Sequence, residues 1–307
     1  MPQIMNLFGG EKTALKGMIF MLLAAFFSGT MNSMVRYVSD DIHTFEIVFF
    51  RLFFGFLFFL PVFMRHGFKP LQTERFGLHL FRSSVTVFSM SLYFAALALA
   101  PLAKVIALTF TGPLISTLLA VVILGEIIRI RRIVAVIIGF IGAVVIVQPG
   151  VVELDAGSMF ALASATTWAV LLVTVKILSR TESSVTLTIY GAMLSTPIAF
   201  VAACFVWTWP TWEQLAWLAA MGSLGSIGLL CMSQSFRNAD MTVVIPIAFT
   251  RLLWVALFAY LFFAEVPGIW TFVGAAMIFS ATTYIAFRER KTKDAADKPP
   301  ETAPEAL

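Results

Sequence analysis

The chain has 307 residues, of which 60% are apolar and only 12% are charged, and its formal net charge is +4. A soluble domain is nearer to half apolar and a quarter charged, so this composition excludes an ordinary soluble protein and indicates that lipid surrounds most of the chain. The basic balance does not point to nucleic acid, because membrane proteins collect Lys and Arg on their cytoplasmic side.

Hydropathy along the chain predicts an all-α polytopic membrane protein with ten transmembrane helices. A helix needs about 20 apolar residues to cross the hydrocarbon of a bilayer. Segments of that kind lie at 17–38, 44–64, 78–99, 102–125, 130–148, 157–178, 184–206, 213–236, 241–264 and 267–287. Residues 1–16 are then a cytoplasmic segment, and the polar, Pro-containing residues 289–307 are predicted to form a disordered cytoplasmic tail.

The distribution of basic residues predicts the orientation of these spans. If the amino terminus lies in the cytoplasm, seventeen of the 21 Lys and Arg residues fall in inner segments. Only Arg36 and Lys104 fall on the outer side, and Arg51 and Arg251 lie within spans. Because cytoplasmic loops carry the excess of Lys and Arg, we expect both termini to face the cytoplasm.

The ten spans divide into two repeats of five, 17–148 and 157–288, joined by a short outer linker at 149–156. Shifted by 140, residues 17–39 match 157–179 at six positions, and shifted by 139, residues 100–126 match 239–265 at nine of 27. Shared apolar composition explains some of these identities, but not the nearly common offset. Since five is odd, the repeats must be inserted in opposite directions, an arrangement typical of transporters with a site near the midplane.

Two arginines in the middle of spans, Arg51 and Arg251, are the strongest candidates for substrate binding. An arginine at the centre of a membrane helix costs about 2.5–3.5 kcal/mol on insertion scales, so it needs a reason to be there. The spans contain few carboxylates that could pair with it, and a guanidinium binds a carboxylate or phosphate through paired hydrogen bonds. The alternative is structural: each arginine bonds helix-end carbonyls or Glu46 and stabilises the bundle. The repeat sets Gly112 opposite Arg251.

Polar side chains recur on single faces of the third and fourth predicted helices. Such faces either line a water-filled path or make the interhelical hydrogen bonds common in membranes. The face of the third helix holds Arg82, Thr86, Ser89 and Tyr93, and that of the fourth holds Thr109, Gly112, Pro113 and Ser116. We take Tyr93 and Thr109 from these faces as further candidates for substrate binding, with the isolated polar residues Asn32, Trp168 and Gln234, although a single buried amide or indole usually bonds another helix.

A second group of residues is placed for coupling or gating rather than for binding. Pro113 and Pro246 lie inside predicted spans, where proline frees a carbonyl and permits a bend. Glu126 and Glu265 close the fourth and ninth spans and are candidates for ties between helices, or simple surface carboxylates. No carboxylate lies at mid-depth as an obvious proton site, which favours facilitated or exchange transport, and Glu46, near the outer end of the second span, is the best candidate for a proton site. Gly222, Gly225 and Gly228 recur every third residue and indicate a packing face.

Two stretches resemble a known family of membrane proteins. YFAALALAPLAKVIALTFTGPLISTLLAVVILGE with the following RIRRIVAVIIGFIGA resembles the first EamA-type repeat of the drug/metabolite transporter superfamily, and FTRLLWVALFAYLFFAEVPGIWTFVGAA resembles the second. The resemblance covers roughly residues 17–288. It implies ten helices around a central cavity for small metabolites in a bacterial inner membrane. The FFR and FTRLLW stretches resemble a branch that takes up riboflavin or S-adenosylmethionine.

We therefore expect a secondary transporter that moves a small polar or anionic metabolite by alternating access, as a monomer or homodimer in the lipid bilayer. An exporter of amino acids, other metabolites or drugs is the alternative. A membrane-embedded enzyme is remote, because the histidines His43, His66 and His79 are scattered at loops and helix ends without a metal motif. We expect no cofactor, no metal and no nucleic-acid partner.

Overall fold

The computed structural model describes residues 2–66, 73–125, 130–148, 155–178, 181–182, 184–239, 244 and 247–296. Within those ranges the regular structure is entirely helical. The segments are α1 (Pro2–Val38), α2 (Thr44–His66), α3 (Phe76–Leu99), α4 (Leu102–Thr109), α5 (Gly112–Leu124), α6 (Ile130–Val147), α7 (Ala156–Leu178), α8 (Ser184–Cys204), α9 (Trp212–Asn238), α10 (Thr250–Phe263) and α11 (Ile269–Ala296).

Apolar helices of two length classes recur along the described chain. Five qualify by both length and composition: Leu15–Val38, Phe76–Leu99, Leu102–Ile123, Ala156–Leu178 and Trp212–Asn238. Four shorter apolar helices lie at Ile133–Val147, Tyr190–Cys204, Thr250–Phe263 and Ile269–Ile285. These nine helices and α2 make ten crossings, five in each half of the chain, which is the predicted polytopic fold.

One crossing is broken where the sequence predicts a single helix over 102–125. α4 ends at Thr109 and α5 begins at Gly112, so that Phe110 and Thr111 separate them. Pro113 is therefore in the first turn of α5 and not in the middle of a helix, a position that suits proline because the first amides of a helix have no partner. The Thr111 amide and hydroxyl both donate to the carbonyl of Leu108, at 3.0 and 2.8 Å. The prediction of a continuous fourth helix is thus wrong at this point.

The two ends of the chain are also more helical than the sequence predicts. α1 begins at Pro2 instead of near residue 17, and α11 continues as far as Ala296, eight residues into the predicted tail. A helix can extend beyond the hydrocarbon where its sequence becomes polar, as the sequence does after Arg288. The limits assigned to the two repeats and to the linker remain predictions.

The packing of the helices follows the internal repeat. α1 packs against α9, and α7 packs against α3 in the corresponding way. Gly17 of α1 lies so close to Ala239 that no side chain fits there, and Gly157 of α7 lies equally close to Ala100. These contacts are related by the shifts of 140 and 139 found in the sequence. The first helix of each half therefore packs against the other half through an equivalent glycine contact.

The last helices of the two halves, α6 and α11, cross at a pair of glycines. A Cβ atom on Gly142 would lie 2.7 Å from the Gly274 carbonyl oxygen and 2.9 Å from Cβ of Met277. A Cβ atom on Gly274 would lie even closer to the Gly142 carbonyl oxygen and 2.5 Å from Cγ1 of Ile146. These neighbours are backbone or near-backbone atoms, so they cannot move aside without separating the helices.

One end of the bundle is tied by side chains that bond backbone groups of other elements. We call it the Glu265 end; α1, α3 and α10 finish there. Glu265 accepts a hydrogen bond from the Leu102 amide at 2.9 Å and lies 3.7 Å from the Arg36 guanidinium. Arg36 also donates to the carbonyls of Leu97 and Ala98. Glu265 and Arg36 thus hold the ends of α1, α3 and α10 against the start of α4.

At the opposite end, His79 and Glu182 connect α3 to the residues before α8. We call this the Glu182 end. Glu182 accepts a hydrogen bond from the Thr73 hydroxyl at 2.5 Å and lies 4.0 Å from Nε2 of His79. The His79 ring is fully buried and stacks on Tyr190 with ring centres 4.5 Å apart. Arg82 donates to the carbonyl of Leu187 at 2.6 Å, so the guanidinium predicted to share a polar face with Thr86 contacts α8 instead.

The glycine crossing of α6 and α11 predicts a marked loss of stability on substitution. Gly274→Ala should lower the free energy of unfolding by about 1–3 kcal/mol, because the added methyl meets backbone of the facing helix. Thermal unfolding in detergent would measure it. Gly77→Ala in α3 is the control, since nothing lies within 4 Å of a Cβ atom there. Equal melting temperatures for the two variants would contradict the close crossing.

Asp155, which precedes α7, predicts a pH-dependent contribution to stability. It accepts hydrogen bonds from the Ser158 amide at 2.6 Å and hydroxyl at 2.8 Å, and from the Lys104 ammonium at 2.6 Å. Burial alone would raise the pKa of Asp155, but Lys104 and Ser158 lower it below its ordinary value of 3.8. The charged form therefore stabilises the fold above pH 3.8, and this contribution is lost as the pH falls below that value.

We expect Asp155→Asn to destabilise the protein by about 1 kcal/mol at neutral pH, since the amide keeps the helix cap but loses the ion pair. The difference from the native chain should shrink as the pH falls through 3.8. Melting temperatures measured over a pH series test this. Asp41→Asn, at an exposed position, is the control. A difference that stayed constant with pH would show that the charge of Asp155 is not involved.

Candidate functional site

A cavity of about 310 Å³ lies where α1, α2, α3, α4, α5, α7 and α10 meet. Its walls come from the middle of the crossings, including the break between α4 and α5. Six of the residues predicted from sequence line it: Arg51, Tyr93, Thr109, Pro113, Trp168 and Arg251. Both arginines within spans therefore face one shared space.

Arg251 enters this cavity from the beginning of α10. Its guanidinium carbon lies 5.0 Å from the ring centre of Phe110, close enough for a cation–π interaction. Phe110 in turn stacks on Phe249, with ring centres 4.1 Å apart and planes 28° from parallel. The Arg251 Nε is buried and has no hydrogen-bond partner among the described residues. The contact with the Phe110 ring, and not a hydrogen bond from Nε, therefore positions this arginine within the described part of the chain.

Arg51 enters the cavity from α2. Cβ atoms built on Gly55 and Gly225 would lie 3.2 and 2.9 Å from its terminal nitrogens, so the guanidinium fits against two glycines. Its Nε is also buried without a hydrogen bond. Neither Arg51 nor Arg251 is in an ion pair with a carboxylate anywhere in the described chain. The described residues of the cavity lining include both positive charges and no acidic side chain.

The polar face predicted on α3 does reach this cavity, except for Arg82. Thr86, Ser89 and Tyr93 all line the space. Thr86 bonds the Arg82 carbonyl of its own helix at 2.9 Å, and Ser89 donates to the Ser164 carbonyl of α7 at 3.1 Å. The Tyr93 hydroxyl is buried, and no described residue makes a hydrogen bond of good geometry with it, although Asn32 lies close by. On this face Tyr93 is consequently the donor available to a ligand.

The remaining candidates for substrate binding lie in different surroundings. Asn32 is 1% exposed and approaches the Tyr93 hydroxyl, yet its amide nitrogen and oxygen have no hydrogen-bond partner of good geometry among the described residues. It lies just behind the cavity wall. Trp168 is 46% exposed and lies beside Gly112, where a Cβ atom would be 3.5 Å from its ring. Gln234 lies far along α9 and outside the lining. Its backbone carbonyl accepts a hydrogen bond from the Asn238 side-chain amide.

The residues predicted for coupling and gating do not gather at the cavity. Glu46 is fully buried at the Glu265 end and accepts hydrogen bonds from the Thr208 amide at 2.8 Å and hydroxyl at 3.1 Å. Glu265 ties helix ends, as described above. Of the members of this group that the structure describes, only Pro113 reaches the lining. Glu126 and Pro246 lie outside the described residues.

Several residues of the lining carry no signal that the sequence could reveal. They are apolar or small side chains, which look the same in a cavity wall as in a helix interface: Met31, Met90, Phe94, Phe110 and Ala165. Phe110 alone had a clue, because the shift of 139 sets it opposite Phe249. Among the described His, Cys, Asp and Glu residues, no three come together as a metal site.

Comparison with known proteins agrees with this architecture. The chain is similar to an S-adenosylmethionine uptake transporter of Rickettsia felis, with 31% identity over 91% of this chain and 95% of the relative. It is similar to a riboflavin transporter of Vibrio cholerae, with 29% identity over 90% and 95%, and to a pseudopaline exporter of Pseudomonas aeruginosa, with 27% identity over 86% and 94%.

A solved structure at 17% identity shares the fold, with a TM-score of 0.60 and coverage of 92% of this chain and 99% of the other. The family model for the EamA-like transporters matches twice, over residues 15–148 and 155–287, which together make up most of the sequence. The chain therefore belongs to the EamA-like transporter family.

Proposed function

We propose that this protein is a secondary carrier that moves a small metabolite bearing a carboxylate, of the S-adenosylmethionine type, across the bacterial inner membrane. The observation that carries the proposal is the pair Arg51 and Arg251, which face one cavity whose described lining has no acidic residue. The similarity to S-adenosylmethionine uptake transporters over nearly the whole chain supports the substrate class.

The charge of the cavity favours an anionic group on the substrate. Two guanidinium groups in a membrane interior repel each other and have lost much of their hydration, so each is costly without a counterion. A carboxylate that enters between them removes this cost and makes charge-assisted hydrogen bonds with donors that are otherwise unpaired. The Nε groups of both arginines and the Tyr93 hydroxyl, which have no hydrogen-bond partner of good geometry among the described residues, are such donors.

The aromatic side chains of the cavity suit the rest of such a molecule. Trp168, on α7, lines the space and is substantially exposed, so its ring can stack on a heterocycle such as adenine. The faces of Trp168 and Tyr93 also suit a sulfonium cation, which aromatic rings attract as they attract other cations. Riboflavin has the planar ring but no carboxylate, so it leaves the two arginines without a counterion. The arginine pair therefore favours the S-adenosylmethionine type over riboflavin.

Transport proceeds in this proposal by alternating access, with both termini in the cytoplasm. The repeats 17–148 and 157–288 rock against each other around the cavity. The cavity lies between the ties at the Glu265 end and those at the Glu182 end, and opening either side requires one set to break. The Phe110–Phe249 stack joins the two repeats at the centre, where such a motion moves the backbone least.

An exporter is the second candidate, because a pseudopaline exporter is also a relative. The same cavity would serve it, since binding chemistry does not depend on the direction of net flux. Direction therefore has to be measured.

The proposal is tested with purified protein in lipid vesicles. We expect saturable uptake of labelled S-adenosylmethionine, competition by the unlabelled compound and little competition by riboflavin. Counterflow from preloaded vesicles, compared with flux driven outward from cells that express the gene, distinguishes uptake from export. Vesicles that exchange riboflavin and ignore S-adenosylmethionine would overturn the proposed substrate class.

Arg251→Leu should abolish or strongly reduce this uptake while leaving the fold intact. Loss of charge-assisted hydrogen bonds worth about 1.5–3 kcal/mol corresponds to a fall of roughly 10- to 150-fold in affinity. Because leucine is favoured in a membrane helix, the melting temperature should not fall. Arg251→Lys, which keeps the charge without the fork, should give an intermediate result.

Arg237→Leu, at an exposed position near the end of α9 and away from the cavity, is the matched control. Uptake is compared at equal protein content in the vesicles. Native rates with Arg251→Leu would leave this arginine as a structural residue only.

A further inference from the structure

The three glycines spaced along α9 contact different kinds of atoms. A Cβ atom on Gly222 would lie 2.6 Å from Cβ of Phe54, so backbone packing against α2 requires this glycine. A Cβ atom on Gly228 would lie 3.1 Å from the Ser28 hydroxyl of α1, a side chain that can rotate. Gly225 differs from both. Its Cβ atom would lie 2.9 Å from the Arg51 Nη2 and 2.7 Å from the Met31 sulfur, which are the ends of flexible side chains.

The guanidinium of Arg51 thus occupies a slot between glycines of two helices. Gly225 of α9 lies against its Nη2, and Gly55, one turn further along α2, lies 3.2 Å from its Nη1 when a Cβ atom is built there. No described carboxylate holds the group, and its Nε has no hydrogen bond. Shape, more than hydrogen bonding, therefore fixes the position of this charge.

We propose that Gly225 and Gly55 are positioning residues: the space they leave holds the Arg51 guanidinium at the depth and angle at which it meets the carboxylate of the substrate. This inference rests on the proposed function and adds to it two residues that do not line the cavity. A free arginine side chain samples many rotamers, and fixing it on binding costs free energy. A slot that fixes it beforehand removes that cost and improves affinity.

The first test measures the position of Arg51 without any substrate. Phenylglyoxal modifies exposed arginines, and mass spectrometry of peptides gives the rate at Arg51 itself. In Gly225→Ala the added methyl pushes the guanidinium out of the slot and into the cavity, so we expect modification several times faster than in the native chain. Gly228→Ala makes the same chemical change one turn away and should leave the rate unchanged. A native rate in Gly225→Ala would overturn the slot.

The second test asks whether the slot matters for binding. We expect Gly225→Ala to raise the KM for S-adenosylmethionine uptake by about tenfold, as the loss of one charge-assisted hydrogen bond would. The melting temperature should change little, because only the ends of side chains must move. Gly222→Ala should instead lower the melting temperature, since its neighbour is Cβ of Phe54.

A double-mutant cycle separates positioning from packing. In an Arg51→Leu background there is no guanidinium to displace, so adding Gly225→Ala should have no further effect on KM or on the residual uptake. Equal effects in both backgrounds would mean that Gly225 acts through helix packing and would overturn the proposal. If the native protein fails to transport S-adenosylmethionine, the proposed function fails, while the modification rates still decide whether the slot exists.

Discussion

Two positive charges held inside a membrane with no acidic neighbour in the described lining impose the constraint from which the rest of this structure can be understood. Such charges have lost much of their hydration, and the protein returns only part of that stabilisation. Arg251 receives a ring face from Phe110, and Arg51 receives space between two glycines. Neither contact satisfies the buried Nε donor of either guanidinium, which has no hydrogen-bond partner in the described part of the chain. In the proposed function, an anionic group of the substrate supplies the missing partner.

The internal repeat supplies the framework, and departures from it supply the chemistry. Equivalent glycine contacts at Gly17 and Gly157 dock the first helix of each half, and the equivalent rings of Phe110 and Phe249 meet at the centre. The next pair, Thr111 and Thr250, is identical, and the halves differ at the pair after it: Gly112 accommodates the indole of Trp168, whereas Arg251 carries a charge into the cavity. The symmetric contacts hold the halves together, and the asymmetric pair places a charge in the cavity on one side only.

Hydropathy and charge were sufficient to predict the class of the fold and the two central arginines, and identities at a nearly constant offset were sufficient to predict the repeat. The face of α3 was equally accessible, since helical periodicity brings Thr86, Ser89 and Tyr93 to one side. The break before Gly112 was not, because Pro113 is compatible with either the interior or the first turn of a helix, and only the surrounding helices decide. The same holds for Gly225: spacing indicates a close approach but does not identify the neighbour, which comes from a helix some 170 residues earlier in the sequence. Glu46 was predicted as a proton site on its position alone, and its partner Thr208 depends on a loop conformation that hydropathy does not report.

Arg51 and Arg251 belong to opposite repeats, and this has a mechanical consequence. A carboxylate held by both, as proposed, would form a bridge between the two repeats, so its binding strength would depend on how the repeats are oriented. A rotation that widened the gap between α2 and α10 would lengthen the contacts of the carboxylate with one of the two arginines and would weaken its binding. Release of the carboxylate would then follow directly from the motion of the repeats. In the empty cavity, the repulsion between the Arg51 and Arg251 guanidinium groups would push the two repeats apart.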